Sequence, residues 1–197
     1  MIPLIGVCGY SGAGKTTFCK EMSRRFPLPV LSTGEIVRRR VAERGYTLTP
    51  ENIARVSDEI RMETDQFFLR ILVPDLKGFA GSPAVLIDCL REDNDLLTLR
   101  ELSDRSTLVA ITAASEVRAS RLLGRVRPGD PTNREGLQEL DETEKRLGAD
   151  RLIAAADYVL GNDGDLDRFI ERSAAVIEEI LNGRPRSPAG RFEAGRF

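Results

Sequence analysis

Near the start of the chain, Gly9, Gly14, Lys15 and Thr16 fall at the spacing G-x-x-x-x-G-K-[ST]. Backbone N–H groups in such a loop turn inward onto phosphate oxygens, and only small residues let the chain wrap that tightly. The helix that follows offers its positive end. Lys15 then reaches the terminal phosphates and the Thr16 hydroxyl reaches magnesium. Gly9, Ser11, Gly12, Ala13, Gly14, Lys15, Thr16 and Thr17 are therefore the expected donor site, for ATP with Mg²⁺. Asp88, at the end of the apolar run "PAVLIDCL", is placed to hold the same metal through water, or else to cap the next helix.

The elements that would position these residues can be read from apolar runs. "IPLIGVCG", "PVLST" (29–33), "PAVLIDCL" (83–90), "TLVAITA" (107–113) and "DYVLGN" (157–162) read as strands, mostly short and continuously apolar. Such strands belong to a parallel sheet covered on both faces. Helices are expected over 15–25, 35–44, 50–76, 116–123 (with Ser115 as its cap), a polar stretch ending near Leu147, and 166–181. Thr49 and Pro50 form a good helix start. The alternation implies an α/β fold with a doubly wound five-stranded parallel sheet. Ligands in such sheets bind beyond the carboxyl ends of the strands. The expected organisation is a phosphate-loop domain over 1–182, with a helical flap over 35–79, a short lid over 124–148, and a disordered Gly/Pro/Arg-rich tail over 183–197.

Composition narrows the chemistry. The chain has 197 residues, a net charge of −2 and no histidine. Histidine triads and histidine metal sites are excluded, and no overall field favours nucleic acid or an anionic membrane. No segment approaches the ~20 apolar residues of a membrane span. The N-terminus lacks a basic start and a signal-length apolar run. Cys8 and Cys89 end apolar runs and read as buried small hydrophobes. Three cysteines without metal-like spacing suit a reducing, cytoplasmic setting. Arginine outnumbers lysine 25 to 4. Its planar fork suits phosphate, although each single arginine also reads as a solvated helix face.

Four stretches carry a resemblance. Ser32-Thr33-Gly34-Glu35 with Arg38 resembles the STGD-x-x-R segment of adenylate kinases. Asp88 and Arg91 resemble their D-G-F-P-R element, shortened by one residue and with Cys89 in place of the glycine. "SRLLGRVR" (120–127) resembles their R-x-x-G-R entry into the lid. The final "ADYVLGNDGDLDRF" resembles the last strand and loop of dephospho-CoA kinases. Over most of 2–181 the chain is also similar to an uncharacterised, mainly archaeal group of kinase-like proteins that lies between these two families.

The resemblance implies that Thr33, Arg38 and Arg91 grip the acceptor. It implies that Arg121, Arg125 and Arg127 or Arg134 grip the transferring phosphate, and that Asn162 and Gly164 lie against the donor adenine. Glu35 falls where dephospho-CoA kinases place the base that deprotonates a hydroxyl acceptor; it equally suits the first turn of a helix. "METDQFFL" departs from the archaeal group, and Phe67, Phe68 and Leu69 read as core or as acceptor-pocket wall.

The expected activity is phosphoryl transfer from MgATP to a small nucleotide-like acceptor, a nucleoside monophosphate ahead of a dephospho-CoA-like or nucleoside hydroxyl. A nucleotide switch or partner-driving ATPase would require coupling surfaces or added domains. The chain offers a short tail and an embedded flap instead.

Overall fold

The computed structural model describes residues 2–66, 68–125 and 130–183. Phe67, Arg127 and residues 184–197 of the expected tail lie outside them. Five strands form one parallel sheet: β1 (Leu4–Cys8), β2 (Val30–Ser32), β3 (Val85–Leu90), β4 (Ser106–Thr112) and β5 (Tyr158–Gly161), in the order β2-β3-β1-β4-β5. The chain leaves β1 for β2 across β3, and returns from β3 to β4 across β1. Neighbouring connections therefore part beyond the carboxyl ends of β1 and β3, which opens a crevice there.

The period of two along each strand divides the core. Ile5 and Val7 face α1 (Lys15–Arg25) and α9 (Leu166–Leu181), packing with Phe18, Met22, Phe169 and Ile177. Leu4 and Cys8 face the opposite layer with Leu69, Leu72, Leu99 and Leu152. That layer contains two helices absent from the sequence expectation, α5 (Asp93–Leu102) and α8 (Ala149–Ala155). Both are short, and each buries only a few residues: Asp95, Thr98 and Leu99 in one, Ala149 and Leu152 in the other. The apolar stripe that marks a helix in sequence is therefore nearly missing.

Two further expectations are corrected. The helix expected over 50–76 ends early, as α3 (Pro50–Glu63). Asp65 and Gln66 then take left-handed backbone, with φ of 51° and 69°. The turn sends Leu69 and Leu72 back under the sheet, and the chain continues as 3₁₀ turns around the four-residue α4 (Val73–Leu76). A continuous helix could not serve both cores. Ser115 does not cap α6 (Ser115–Gly124); the cap position is Ala114, without a side-chain bond. The remaining helices are α2 (Thr33–Glu43), capped by Ser32, and α7 (Arg134–Leu147), capped by Asn133.

The helical flap has a small core of its own: Val37 and Val41 of α2 against Val56 and Ile60 of α3, with Phe68. Ile60 is fully buried there. Ile60→Ala is expected to cost about 2–5 kcal/mol of stability, read from urea unfolding midpoints. A loss below about 1 kcal/mol would mean that the flap is not a packed unit.

Candidate active site

A cleft of about 310 Å³ opens beyond the carboxyl ends of β1 and β3. Ser11, Gly12, Gly14, Lys15, Thr16 and Thr17 form one wall. Asp88, Cys89 and Arg91, following β3, form another, with Ser32, Gly34 and Arg38 at the start of α2 and Arg121 and Arg125 from the end of α6. Segments more than 100 residues apart thus meet in one space.

The loop is held from behind. Gly9 has φ 130°, and a Cβ there would sit 2.1 Å from the Ile111 carbonyl oxygen. Gly14, at φ 109°, would place a Cβ 2.3 Å from Asn162 Nδ2. Only glycine allows either approach. Asn162 Nδ2 donates to the Ala13 carbonyl at 2.8 Å, and Arg121 Nη2 donates to the Asn162 carbonyl at 2.8 Å. The Asn162 side chain is therefore turned inward beneath the loop, and neither it nor Gly164 lines the cleft. Ala13 is buried, also behind the loop surface.

Lys15 Nζ donates to the carbonyls of Gly9 and Tyr10 at 2.6 and 3.0 Å. These are neutral acceptors that a phosphate oxygen would outcompete. Thr16 Oγ1 donates to Asp88 Oδ2 at 3.2 Å. A hydroxyl and a carboxylate facing each other are the hard oxygen donors that magnesium takes. The donor set therefore fits magnesium. Thr16 and Asp88 would hold the ion, which neutralises phosphate charge when bound.

Asp88 is aimed by a bulge. Val7 pairs with Asp88 and Cys8 with Leu90, so Cys89 is the extra residue. It takes φ 77°, and its carbonyl accepts a hydrogen bond from Thr33 Oγ1 at 3.3 Å. A bulge bends its strand and redirects side chains. Cys8 is buried, and burial pushes its thiol up to about 12. Cys89, expected to be buried too, is only partly so and lines the cleft; the left-handed backbone that turns its side chain out of the sheet is the reason.

The other expected residues divide. Arg38, Arg91, Arg121 and Arg125 converge on the cleft. Arg91 Nε donates to Cys89 Sγ at 3.2 Å, and Arg125 makes a two-pronged pair with Asp130. Thr33 lines a smaller adjoining cavity with Val37, Ile53, Phe68 and Arg61. Phe68 thus serves both the flap core and that cavity wall. Glu35 is exposed and lines neither space; its N–H donates to the capping Ser32 hydroxyl. Arg134 lies away from the cleft, in a separate cavity between α6 and α7.

The sequence reading missed Arg118, Asp141 and Glu144. Arg118 Nη1 donates to the Ser11 carbonyl at 3.2 Å and to Asp141 Oδ1 at 2.7 Å, and its Nη2 donates to Asp141 Oδ2 at 2.6 Å. No local signal marks them, because their partners are distant in sequence.

The AAA domain family model matches residues 8–138. A UPF0200 protein of Thermococcus gammatolerans is 33% identical over 190 residues, covering 94% of this chain and all of its own length. One from Methanoregula boonei is 31% identical over 185 residues, covering 94% of this chain and 99% of its own. The chain belongs to the UPF0200 family and matches the AAA domain family over two thirds of its length.

Among solved structures, TT1252 from Thermus thermophilus is similar with a TM-score of 0.59 and 23% identity, covering 90% of this chain and 97% of its own. A shikimate kinase from Acinetobacter baumannii in complex with shikimate is similar with a TM-score of 0.57 and 16% identity, over 94% and 96%. These likenesses establish a kinase-like phosphate-loop fold for the UPF0200 chain. Among its described residues, no helix is long and apolar enough to cross a membrane.

Asp95 braces the segment that carries Arg91. Its Oδ2 accepts from the N–H groups of Arg91 and Glu92 at 2.9 and 3.2 Å. Burial raises its pKa from 3.8 to about 6. The stabilising contribution of its protonated form is complete below about 3.8 and is lost as pH rises through about 6. Asp95→Asn removes that loss. Between pH 4 and pH 7 its stability should therefore gain on the natural protein by on the order of 3 kcal/mol, measured by urea unfolding. An equal difference at both pH values would refute the raised pKa.

Proposed function

We propose that this protein is a small-molecule kinase that moves the γ-phosphoryl group of MgATP onto a nucleotide-like acceptor, a nucleoside monophosphate. The observation that carries this reading is the meeting of Lys15, Thr16 and Asp88 with Arg38, Arg91, Arg121 and Arg125 around one cleft. Phosphoryl transfer requires little covalent chemistry from the protein. It requires two anionic partners held in line and charge stabilisation on the group in transit. The loop supplies the donor grip. Arg38 and Arg91, on the far wall, suit a second phosphate. Arg121, near the end of α6, and Arg125, at the start of the lid segment, line the same cleft and suit the charge of the transferring group.

A phosphate acceptor arrives as an anion and needs no base, whereas a hydroxyl acceptor does. Glu35, the residue that would supply that base, lines neither cavity, which favours the phosphate acceptor. Four arginines in the same cleft suit two phosphate-bearing partners better than the single nucleotide of a switch. In this reading the protein works in the cytoplasm on small molecules, with neither nucleic acid nor membrane as partner.

The direct test is acceptor-dependent ADP release from MgATP, across nucleoside monophosphates, nucleosides and dephospho-CoA. At least one monophosphate should raise ADP release. Release that is equal with and without every acceptor would overturn the proposal. Arg38→Ala should raise the acceptor KM about tenfold or more and leave the ATP KM near its starting value. Glu35→Gln should change kcat little; a loss of about a hundredfold would instead favour a hydroxyl acceptor.

A further inference from the structure

Phosphoryl transfer as described leaves Glu144 without a task, yet its surroundings are specific. It belongs to α7 and is only 5% exposed. A buried carboxylate is costly unless it is well hydrogen-bonded. Both of its oxygens accept from one residue of the phosphate loop. Ser11 N–H donates to Oε2 at 2.8 Å, and Ser11 Oγ donates to Oε1 at 2.7 Å. The Ser11 carbonyl is held from the same helix through Arg118, itself 5% exposed and paired with Asp141 on α7. Both backbone polar groups of Ser11 are thus fixed by α7, one directly and one through a guanidinium. The neighbouring loop residue is tied as well. Arg118 stacks over the Tyr10 ring at 4.9 Å, and the Tyr10 hydroxyl donates to Asp150 of α8 at 2.8 Å. The charge of Glu144 also reaches Arg91, whose pKa it raises after the larger effect of Cys89.

We infer that Glu144 is a positioning residue for the nucleotide site, fixing the peptide planes at the tip of the phosphate loop and tying donor affinity to the placement of α7. It touches no reacting atom. It acts through Ser11, which lines the cleft. A loop already ordered loses less conformational freedom when phosphate binds, so its order is expressed as affinity. Mixed with this is an opposing effect, the negative charge that Glu144 keeps near an anion site. The inference is that ordering outweighs it. It rests on reading the cleft as a nucleotide site, and so its test reads nucleotide binding and not transfer.

The experiment is calorimetric titration of MgADP and MgATP into the natural protein, Ser11→Ala, Glu144→Ala and the double variant, with thermal unfolding of each. Glu144→Ala should weaken both nucleotides about tenfold. Ser11→Ala should weaken them in the natural background and add little on top of Glu144→Ala, because the two side chains act as one unit. A purely structural carboxylate would lower Tm and leave the Kd of the folded protein unchanged. A Kd within twofold of the natural value in folded Glu144→Ala, or additive effects of the two substitutions, would overturn the inference. Should Glu144→Ala fail to fold, the same cycle with Glu144→Leu, which fills the space and offers Ser11 no acceptor, decides by the same criteria. Nucleotide binding without transfer to any acceptor would sink the kinase proposal and leave this inference standing. A natural protein that binds neither nucleotide would overturn both.

Discussion

A phosphate cradle is useful only while its amides remain aimed at one point. A glycine-rich loop has little of its own to hold that aim, since glycine loses more freedom on ordering than any other residue. Here the constraint comes from outside the loop. Asn162 holds the Ala13 carbonyl from the end of β5, while the Gly9 backbone lies against Ile111 of β4. Arg118 and Glu144 hold Ser11 from α6 and α7. The shape of the loop is therefore a product of the whole sheet and its covering helices.

The strand order explains why the rest of the site gathers at the same place. With β1 central and flanked by β3 and β4, the loops after all three strands end on one edge. The bulge at Cys89 then turns Asp88 toward Thr16 across the β1–β3 junction. The flap is attached just beyond β2 and carries Arg38 on its first helix. Its small core is separate from the two sheet cores. Ile36, Leu69 and Leu72 of the flap nevertheless pack into the sheet core, so the flap is anchored to the sheet at both of its ends.

The five strands were legible because each is a short apolar run, and α1 begins and ends as expected because a glycine and a proline bracket it. The phosphate loop was legible for a related reason: its chemistry lies in consecutive residues. What escaped was non-local. Helices α5 and α8 bury so few side chains that no stripe marks them. The end of α3 depends on Asp65 and Gln66 adopting left-handed backbone to satisfy two cores at once. Glu144 looks like any acid on a polar helix until its partner, 133 residues earlier, is known. The arginines were read as a set. Their individual fates, Arg121 in the cleft and Arg134 outside it, follow from how α6 and α7 face each other.

The bulge at Cys89 also gives the molecule a built-in handle. Cys8 and Cys19 are buried, and burial drives both thiols far above their ordinary range. Cys89 alone of the three stands at the wall of the cleft, between Asp88 and Arg91. A thiol-directed fluorophore would accordingly mark that wall without any engineered cysteine. Its emission would then report, in the natural sequence, each arrival and departure at that cleft.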